Sequence, residues 1–103
     1  MNYVTLGKTG LKAAVVSFGG IPIQRSDAAN TRAVVDKLEQ YGMNYIDTAR
    51  GYTVSEEYLG AALEGRREKF ILATKSMARD KESMAKDIDI SLKHLRTDHI
   101  DVY

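Results

Sequence analysis

The chain has 103 residues, 44% of them hydrophobic, which is enough for one modest core and predicts one domain, residues 1–103, or a piece of one. Its 15 Lys and Arg balance 14 Asp and Glu and are interspersed with them, which argues against nucleic acid or a membrane surface as partner. There is no cysteine, no signal-like N-terminus and no apolar run of about 20 residues, so the sequence predicts a soluble, cytoplasmic protein.

A hairpin and a strand open the chain. The hairpin is predicted with arms at residues 3–6 and 11–13, around turn residues that include Gly7 and Gly10. The segment AVVSFGG then reads as a buried strand that ends in Gly19 and Gly20. A glycine pair lets the backbone approach a bound group closely, or simply makes a tight turn, and the sequence leaves both open.

The first two predicted helices have recognisable end signals. Ser26 or Asp27 can cap the first helix, and Gly42 stops it. Thr53 and Glu56 have the spacing of a capping box for the second helix, where a first-turn carboxylate favours the positive end of the helix dipole. That explanation leaves Glu56 without a chemical role. The apolar stripe of the first helix is assigned to Val34, Leu38 and Tyr41.

Three more strands and a third helix complete the pattern. The segments MNYID, FILATK and HIDVY read as short buried strands, and Asp80 can cap a helix between the last two. Strands alternating with helices indicate parallel βα units. The predicted fold class is therefore α/β with a parallel sheet, in which ligands bind at the carboxyl ends of the strands.

The residues that break the apolar pattern lie at those carboxyl ends. Gly19 and Gly20 end one strand, Asp47 ends the next with Tyr52 in its loop, and Lys75 ends the third. A phenol, with a reference pKa near ~10, is a poor acid at neutral pH, but a neighbouring cation lowers that value. Lys75 could be that cation, with Asp47 as its ion-pair partner. Tyr52 would then donate a proton to an oxygen that becomes basic, such as a carbonyl accepting hydride.

Each of these residues also has an ordinary explanation. An aspartate at a strand end is usually a helix cap or turn former, and a lysine there is usually solvated. Tyr52 could be a loop aromatic that anchors the next helix. Arg50 could face a substrate or solvent, and the sequence does not decide between them.

Four segments, in this order, resemble the N-terminal part of the aldo-keto reductases: LGKTGLKAAVVSFGG, NYIDTARGYTVSEEYLGAAL, FILATK and SLKHLRTDHIDVY. The resemblance implies the N-terminal hairpin plus the first four parallel strands and three helices of a (β/α)₈ TIM barrel. That would be a partial barrel, because a whole one takes about 250 residues. It also implies reduction of small aldehydes and ketones with a nicotinamide dinucleotide, usually NADPH, with NADH possible.

Residue by residue, the resemblance implies roles at the strand ends. Asp47, Tyr52 and Lys75 match the family's catalytic residues, with Tyr52 as proton donor. Gly19, Gly20 and Asp47 match positions at the nicotinamide end of the cofactor. No metal is implied.

The chain departs from the family pattern in two places. Thr53 stands where many members have glycine after the catalytic tyrosine. The family's fourth catalytic residue, a histidine just beyond a segment like HIDVY, is not among the 103 residues. His94 lies within the third predicted helix and His99 precedes the fourth strand, so neither is placed to substitute for it.

Two other functions remain open from the sequence. A catalytically silent half-barrel could act as a structural or assembly module, and its open sheet edges predict self-association. A different doubly wound nucleotide-binding domain is disfavoured, because neither G-x-G-x-x-G nor G-x-x-x-x-G-K-[ST] follows the first strand.

Overall fold

The computed structural model describes residues 1–103 and contains five short strands, three α-helices and two short 3₁₀ helices, Ile21–Arg25 and Arg67–Lys69. The strands are β1 Tyr3–Thr5, β2 Lys12–Ala14, β3 Phe18–Gly19, β4 Tyr45–Asp47 and β5 Ile71–Ala73. The helices are α1 Ala28–Tyr41, α2 Ser55–Ala62 and α3 Lys81–Leu95. β1 and β2 form the predicted antiparallel hairpin, and β3, β4 and β5 form a parallel sheet in that order. None of the helices combines the length and apolar character that a membrane crossing requires.

The last residues of the chain take the fourth position in the sheet. Val102 forms a single parallel bridge with Ala73, where the sequence predicts a strand. The carboxylate of Asp101 fastens this segment, because it accepts hydrogen bonds from the amide of Leu72 at 2.8 Å and from Nη2 of Arg67 at 2.9 Å. The hairpin, the parallel strand order and the three helices agree with the expected first part of a TIM barrel.

The helices cover one face of the parallel sheet. Phe18, Ile46 and Leu72 are register partners and therefore share a face. Ile46 and Leu72 have no exposed surface, because the helices pack over this face. The core cluster comprises Val35, Leu38, Ile46, Leu59, Ala62, Leu63, Phe70, Leu72 and Leu95. Gly19 and Asp47 are also register partners and belong to the opposite face.

Two details of the predicted core are wrong. In α1 the fully buried valine is Val35, one position after the assigned Val34, and Tyr41 is 61% exposed because it ends the helix beyond the core. Val15 and Val16 are also more than half exposed. Only Phe18 and Gly19 of the predicted AVVSFGG strand join the sheet, so the preceding valines lie outside the layer that the helices cover.

The helix ends follow the sequence signals at α1 and α3. Asp27 accepts a hydrogen bond from the Asn30 amide at 2.7 Å, and Gly42 ends α1 with a φ of 73°. Asp80 caps α3 by accepting from the Ser83 amide at 2.8 Å. Local hydrogen bonds and the left-handed Gly42 therefore fix where α1 begins and ends and where α3 begins.

The open sheet edge predicts how these 103 residues behave in solution. The outer edge of β3 has no neighbouring strand, and Val15, Val16 and Ile21 beside it are all more than half exposed. Because unpaired strand edges and apolar patches template association, we expect a dimer, a higher assembly or an aggregate. Size-exclusion chromatography with light scattering measures this. A monodisperse monomer with cooperative unfolding would contradict the prediction.

Candidate active site

The structure brings Asp47 and Lys75 together at the carboxyl ends of β4 and β5. Lys75 Nζ lies 2.8 Å from Asp47 Oδ2 and donates a second hydrogen bond to the carbonyl of Thr48 at 2.9 Å. Asp47 pairs in register with Ala73. Lys75 follows Ala73 by two residues and therefore lies on the same face as Asp47. The two side chains are 44% and 47% exposed. The ion pair is therefore accessible on the side of the sheet that the helices do not cover.

Tyr52 completes this group from the loop between β4 and α2. The Nζ atom of Lys75 lies 5.0 Å from the centre of the Tyr52 ring, within the range of a cation–π interaction. A cavity of about 250 Å³ lies beside the pair. Its walls are formed by Ala49, Gly51, Tyr52, Lys75, Ser76 and Met77. The ammonium and the phenol thus share one small, partly apolar cavity.

The surroundings of Lys75 have opposing effects on its pKa. Partial burial lowers the pKa, whereas the hydrogen bond and negative charge of Asp47, together with the contact to Tyr52, raise it. The partners outweigh burial, so the pKa of Lys75 lies above its ordinary value of 10.5. Lys75 is therefore a permanent cation at neutral pH.

The two glycines at the end of β3 have different surroundings. A Cβ on Gly20 would lie 2.9 Å from the carbonyl oxygen of Asp47 and 3.0 Å from Oγ of Ser55, so packing excludes a side chain there. A Cβ on Gly19 would meet nothing within 4 Å. Because Gly19 shares its face with Asp47, it leaves open space next to the carboxylate.

Sequence reasoning missed a buried ion pair below these residues. Glu56 is fully buried, and its Oε1 lies 2.5 Å from Nη1 of Arg50. Its Oε2 accepts a hydrogen bond from Thr74 at 2.8 Å. The predicted capping box is wrong, since Val54 occupies the cap position of α2 and no side chain caps the helix. The spacing of Glu56 to Leu59, at i+3, could have shown that the carboxylate lies on the buried stripe.

Arg50 and the two histidines also have defined places. Arg50 faces neither bulk solvent nor the cavity, because its side chain is 18% exposed and pairs with Glu56. His94 lies on α3 with Nδ1 2.7 Å from Arg50 Nη1. His99 pairs with Asp98 at 2.8 Å and precedes the fourth strand position. It therefore lies at the opposite end of the sheet.

The largest cavity is not at this site. It has a volume of about 420 Å³ and lies between the hairpin and the amino ends of β4 and β5, where Met43, Asn44 and Phe70 line it. Parallel sheets bind ligands at the carboxyl ends of their strands. We therefore place the candidate active site at the smaller cavity beside Tyr52 and Lys75.

The effect of Asp47 on Lys75 can be tested by substitution. In Asp47→Asn the carboxylate is lost while partial burial remains, so the pKa of Lys75 should fall. With the carboxylate present, the raised pKa stabilises the folded chain below pH 10.5, and this contribution is lost as the pH rises through the folded-state value. An NMR titration of ¹³Cε-labelled lysine reports the change.

Asp98→Asn is the control for this titration, because that exposed carboxylate pairs with His99 instead. It should leave Lys75 unaffected. If Lys75 titrated identically in Asp47→Asn and in the unsubstituted chain, the ion pair would have no influence in solution.

Comparison with known proteins places the chain in a family. The family model described as "Aldo/keto reductase family" matches residues 15–103. L-galactose dehydrogenase of Arabidopsis thaliana is 37% identical over 94% of this chain and 35% of its own length. The aldo-keto reductase YhdN of Bacillus subtilis is 30% identical over the whole chain and 37% of its own length.

A solved structure gives the same result. The holo form of an aldo-keto reductase from Bacillus halodurans superposes with a TM-score of 0.84 at 32% identity, covering 97% of this chain and 38% of its own. The chain thus spans little more than a third of the length of these relatives. The match of residues 15–103 to the family model, over a sheet with the same fold, shows that the chain belongs to the aldo/keto reductase family.

Proposed function

We propose that the complete protein reduces aldehydes and ketones to alcohols, with NADPH as cofactor and Tyr52 as the proton donor. The observation that carries this proposal is the position of Lys75, which lies 5.0 Å above the Tyr52 ring while it pairs with Asp47 at 2.8 Å. Family membership supports oxidoreductase chemistry. The assignment of roles to these three residues comes from their geometry and from the resemblance.

The residues present fit the nicotinamide end of a dinucleotide. Gly19 leaves space for a flat ring next to the carboxylate of Asp47, because it has no side chain and nothing lies within 4 Å of its Cβ position. Gly19, Gly20 and Asp47 would hold that end of the cofactor. When bound, the cofactor supplies the hydride. We propose NADPH over NADH on the family resemblance.

The three side chains divide the proton chemistry between them. Tyr52 donates a proton to the substrate oxygen, which becomes basic as the carbonyl carbon is reduced. Lys75 remains charged and favours the phenolate that Tyr52 leaves behind. Asp47 holds the lysine in place through their ion pair. Tyr52 therefore depends on the charge of Lys75, and Lys75 depends on Asp47 for its position.

The cavity beside Tyr52 and Lys75 fits a small carbonyl compound. Its volume of about 250 Å³ lies just below the range of about 300–1,000 Å³ that is usual for small-molecule sites. Ala49 and Met77 contribute apolar surface, while Tyr52 and Lys75 supply the polar groups. A carbonyl with a small apolar substituent fits this combination.

The proton-donor role predicts the effect of Tyr52→Phe in the complete enzyme. Reduction should fall by roughly 10²- to 10⁴-fold, because the general acid is lost, while cofactor affinity stays nearly unchanged. Lys75→Met should also lose activity, since it leaves the phenol without a cation and Asp47 without its partner. Steady-state kinetics and cofactor titration measure both effects.

Tyr58→Phe is the matched control, because Tyr58 lies on α2 and does not line the cavity. It should retain normal turnover. A Tyr52→Phe enzyme with turnover close to that of Tyr58→Phe would exclude Tyr52 as the donor.

The 103 residues alone should be catalytically silent. The family's histidine is absent from them, and they span little more than a third of the length of their relatives. We therefore expect no NADPH-dependent reduction of a general aldehyde above background, and very weak cofactor binding. Isothermal titration calorimetry tests the second point, and micromolar NADPH affinity would refute it.

A further inference from the structure

Thr53, directly after Tyr52, has a backbone conformation that its side chain disfavours. Its φ is +46°, in the left-handed region, where a β-branched residue is an outlier and glycine is the usual occupant. Such a conformation costs free energy and persists only where neighbouring groups impose it. Whatever holds Thr53 in this conformation also restrains the adjacent Tyr52.

Arg50 spans this loop from its start to its end. Its backbone amide donates to the carbonyl of Lys75 at 2.9 Å, and its Nη2 donates to the carbonyl of Thr53 at 3.3 Å. Tyr52 therefore lies in a segment that Arg50 holds on both sides. The hydroxyl of Thr53 also donates a hydrogen bond to Oε1 of Gln24 at 3.2 Å.

The guanidinium of Arg50 is itself anchored in the protein interior. Its Nη1 contacts the fully buried Glu56 at 2.5 Å and Nδ1 of His94 at 2.7 Å. The other oxygen of Glu56 accepts from Thr74 at 2.8 Å, and Thr74 directly precedes Lys75 in the chain. One buried carboxylate thus links the loop that carries Tyr52 to the strand end that carries Lys75.

We propose that Arg50 is a positioning residue for Tyr52. Its guanidinium, anchored on Glu56, keeps Thr53 in the left-handed conformation and thereby holds the Tyr52 ring beside Lys75. Arg50 does not line the cavity, so it acts through the loop and not on the substrate. The catalytic meaning of this role rests on the proposed function of Tyr52, whereas the role itself is a property of the loop.

Hydrogen exchange tests the role without any turnover. Arg50→Lys keeps a positive charge beside Glu56 but removes the planar guanidinium group, which contacts Glu56 and the carbonyl of Thr53 at the same time. The amides of Tyr52 and Ser55 both donate hydrogen bonds within the loop, at 3.1 and 2.9 Å. They should exchange roughly 10-fold faster or more in Arg50→Lys, while the amides of β4 and β5 keep their rates.

Thr53→Gly separates positioning from charge compensation. Glycine adopts the left-handed conformation without strain, so it should no longer need Arg50. In the Thr53→Gly background, Arg50→Lys should therefore change the loop rates by no more than about twofold. If Arg50 served only to neutralise Glu56, glycine at position 53 would give no such rescue.

Arg66→Lys is the matched control. Arg66 is another largely buried arginine, with Nη1 2.6 Å from Asp36, and its loss should leave the Tyr52 and Ser55 rates unchanged. If Arg50→Lys made the amides of the whole sheet exchange faster, the double variant Arg50→Gln with Glu56→Gln would be measured in its place. The same acceleration at Tyr52 and Ser55 is expected there.

Two results would overturn the proposal. One is unchanged exchange of Tyr52 and Ser55 in Arg50→Lys, and the other is an equal acceleration with and without Thr53→Gly. Failure of the reductase assignment is distinct from both, because retained turnover in Tyr52→Phe would remove the proton-donor role and leave these exchange rates as they are.

Discussion

The arrangement of the site depends on the burial of a single carboxylate. Glu56 has no exposed surface, and an ionised carboxylate in that position loses several kcal/mol of solvation unless charged and polar partners replace the water. Arg50 and Thr74 are those partners. Because the buried carboxylate needs both partners, α2, the loop before it and the end of β5 cannot shift independently.

Strand alternation separates the buried hydrogen-bonding groups from the exposed charges of the candidate site. Thr48 and Thr74 follow the ends of β4 and β5, and both side chains are buried toward the helices. Thr48 Oγ1 lies 2.8 Å from Oγ of Ser55, which also donates to the carbonyl of Gly20 at 3.1 Å. Their chain neighbours Asp47 and Lys75 lie on the opposite face. Hydrogen bonds on the helix side of the sheet therefore hold the segments that follow β3, β4 and β5. The charges of Asp47 and Lys75 on the other side stay accessible.

The sequence was sufficient where a signal is local. The predicted caps, at Ser26 or Asp27 and at Asp80, and the stop at Gly42 are short-range hydrogen-bonding effects. The structure confirms them, with Asp27 as the cap of α1. The alternation of strands and helices also predicted the parallel sheet. Asp47 and Lys75 could be placed together because neighbouring parallel strands end at the same edge.

Signals that depend on tertiary packing were less informative. Val34 and Val35 are adjacent, and the sequence pattern alone assigned the α1 stripe to Val34, one residue before the valine that is fully buried. Glu56 fits the helix-dipole rule and the i+3 spacing to Leu59 equally well, so its place in the sequence does not separate a first-turn surface charge from a buried carboxylate. The pairing of Glu56 with Arg50 and Thr74 decides that the carboxylate is buried. These partners lie outside α2, in the loop before it and at the end of β5.

The ion pair at the rim does little to hold the fold together. Asp47 and Lys75 are 44% and 47% exposed, and ion pairs in such surroundings contribute about 0–1 kcal/mol because solvent and salt screen them. Their geometry must therefore be imposed by the backbone and by the buried groups beneath. The pair adds little stability, and Lys75 Nζ lies 5.0 Å from the centre of the Tyr52 ring beside a cavity, which is the arrangement on which the proposed function rests. The large electrostatic interactions lie below the rim, where they keep the exposed charges in position.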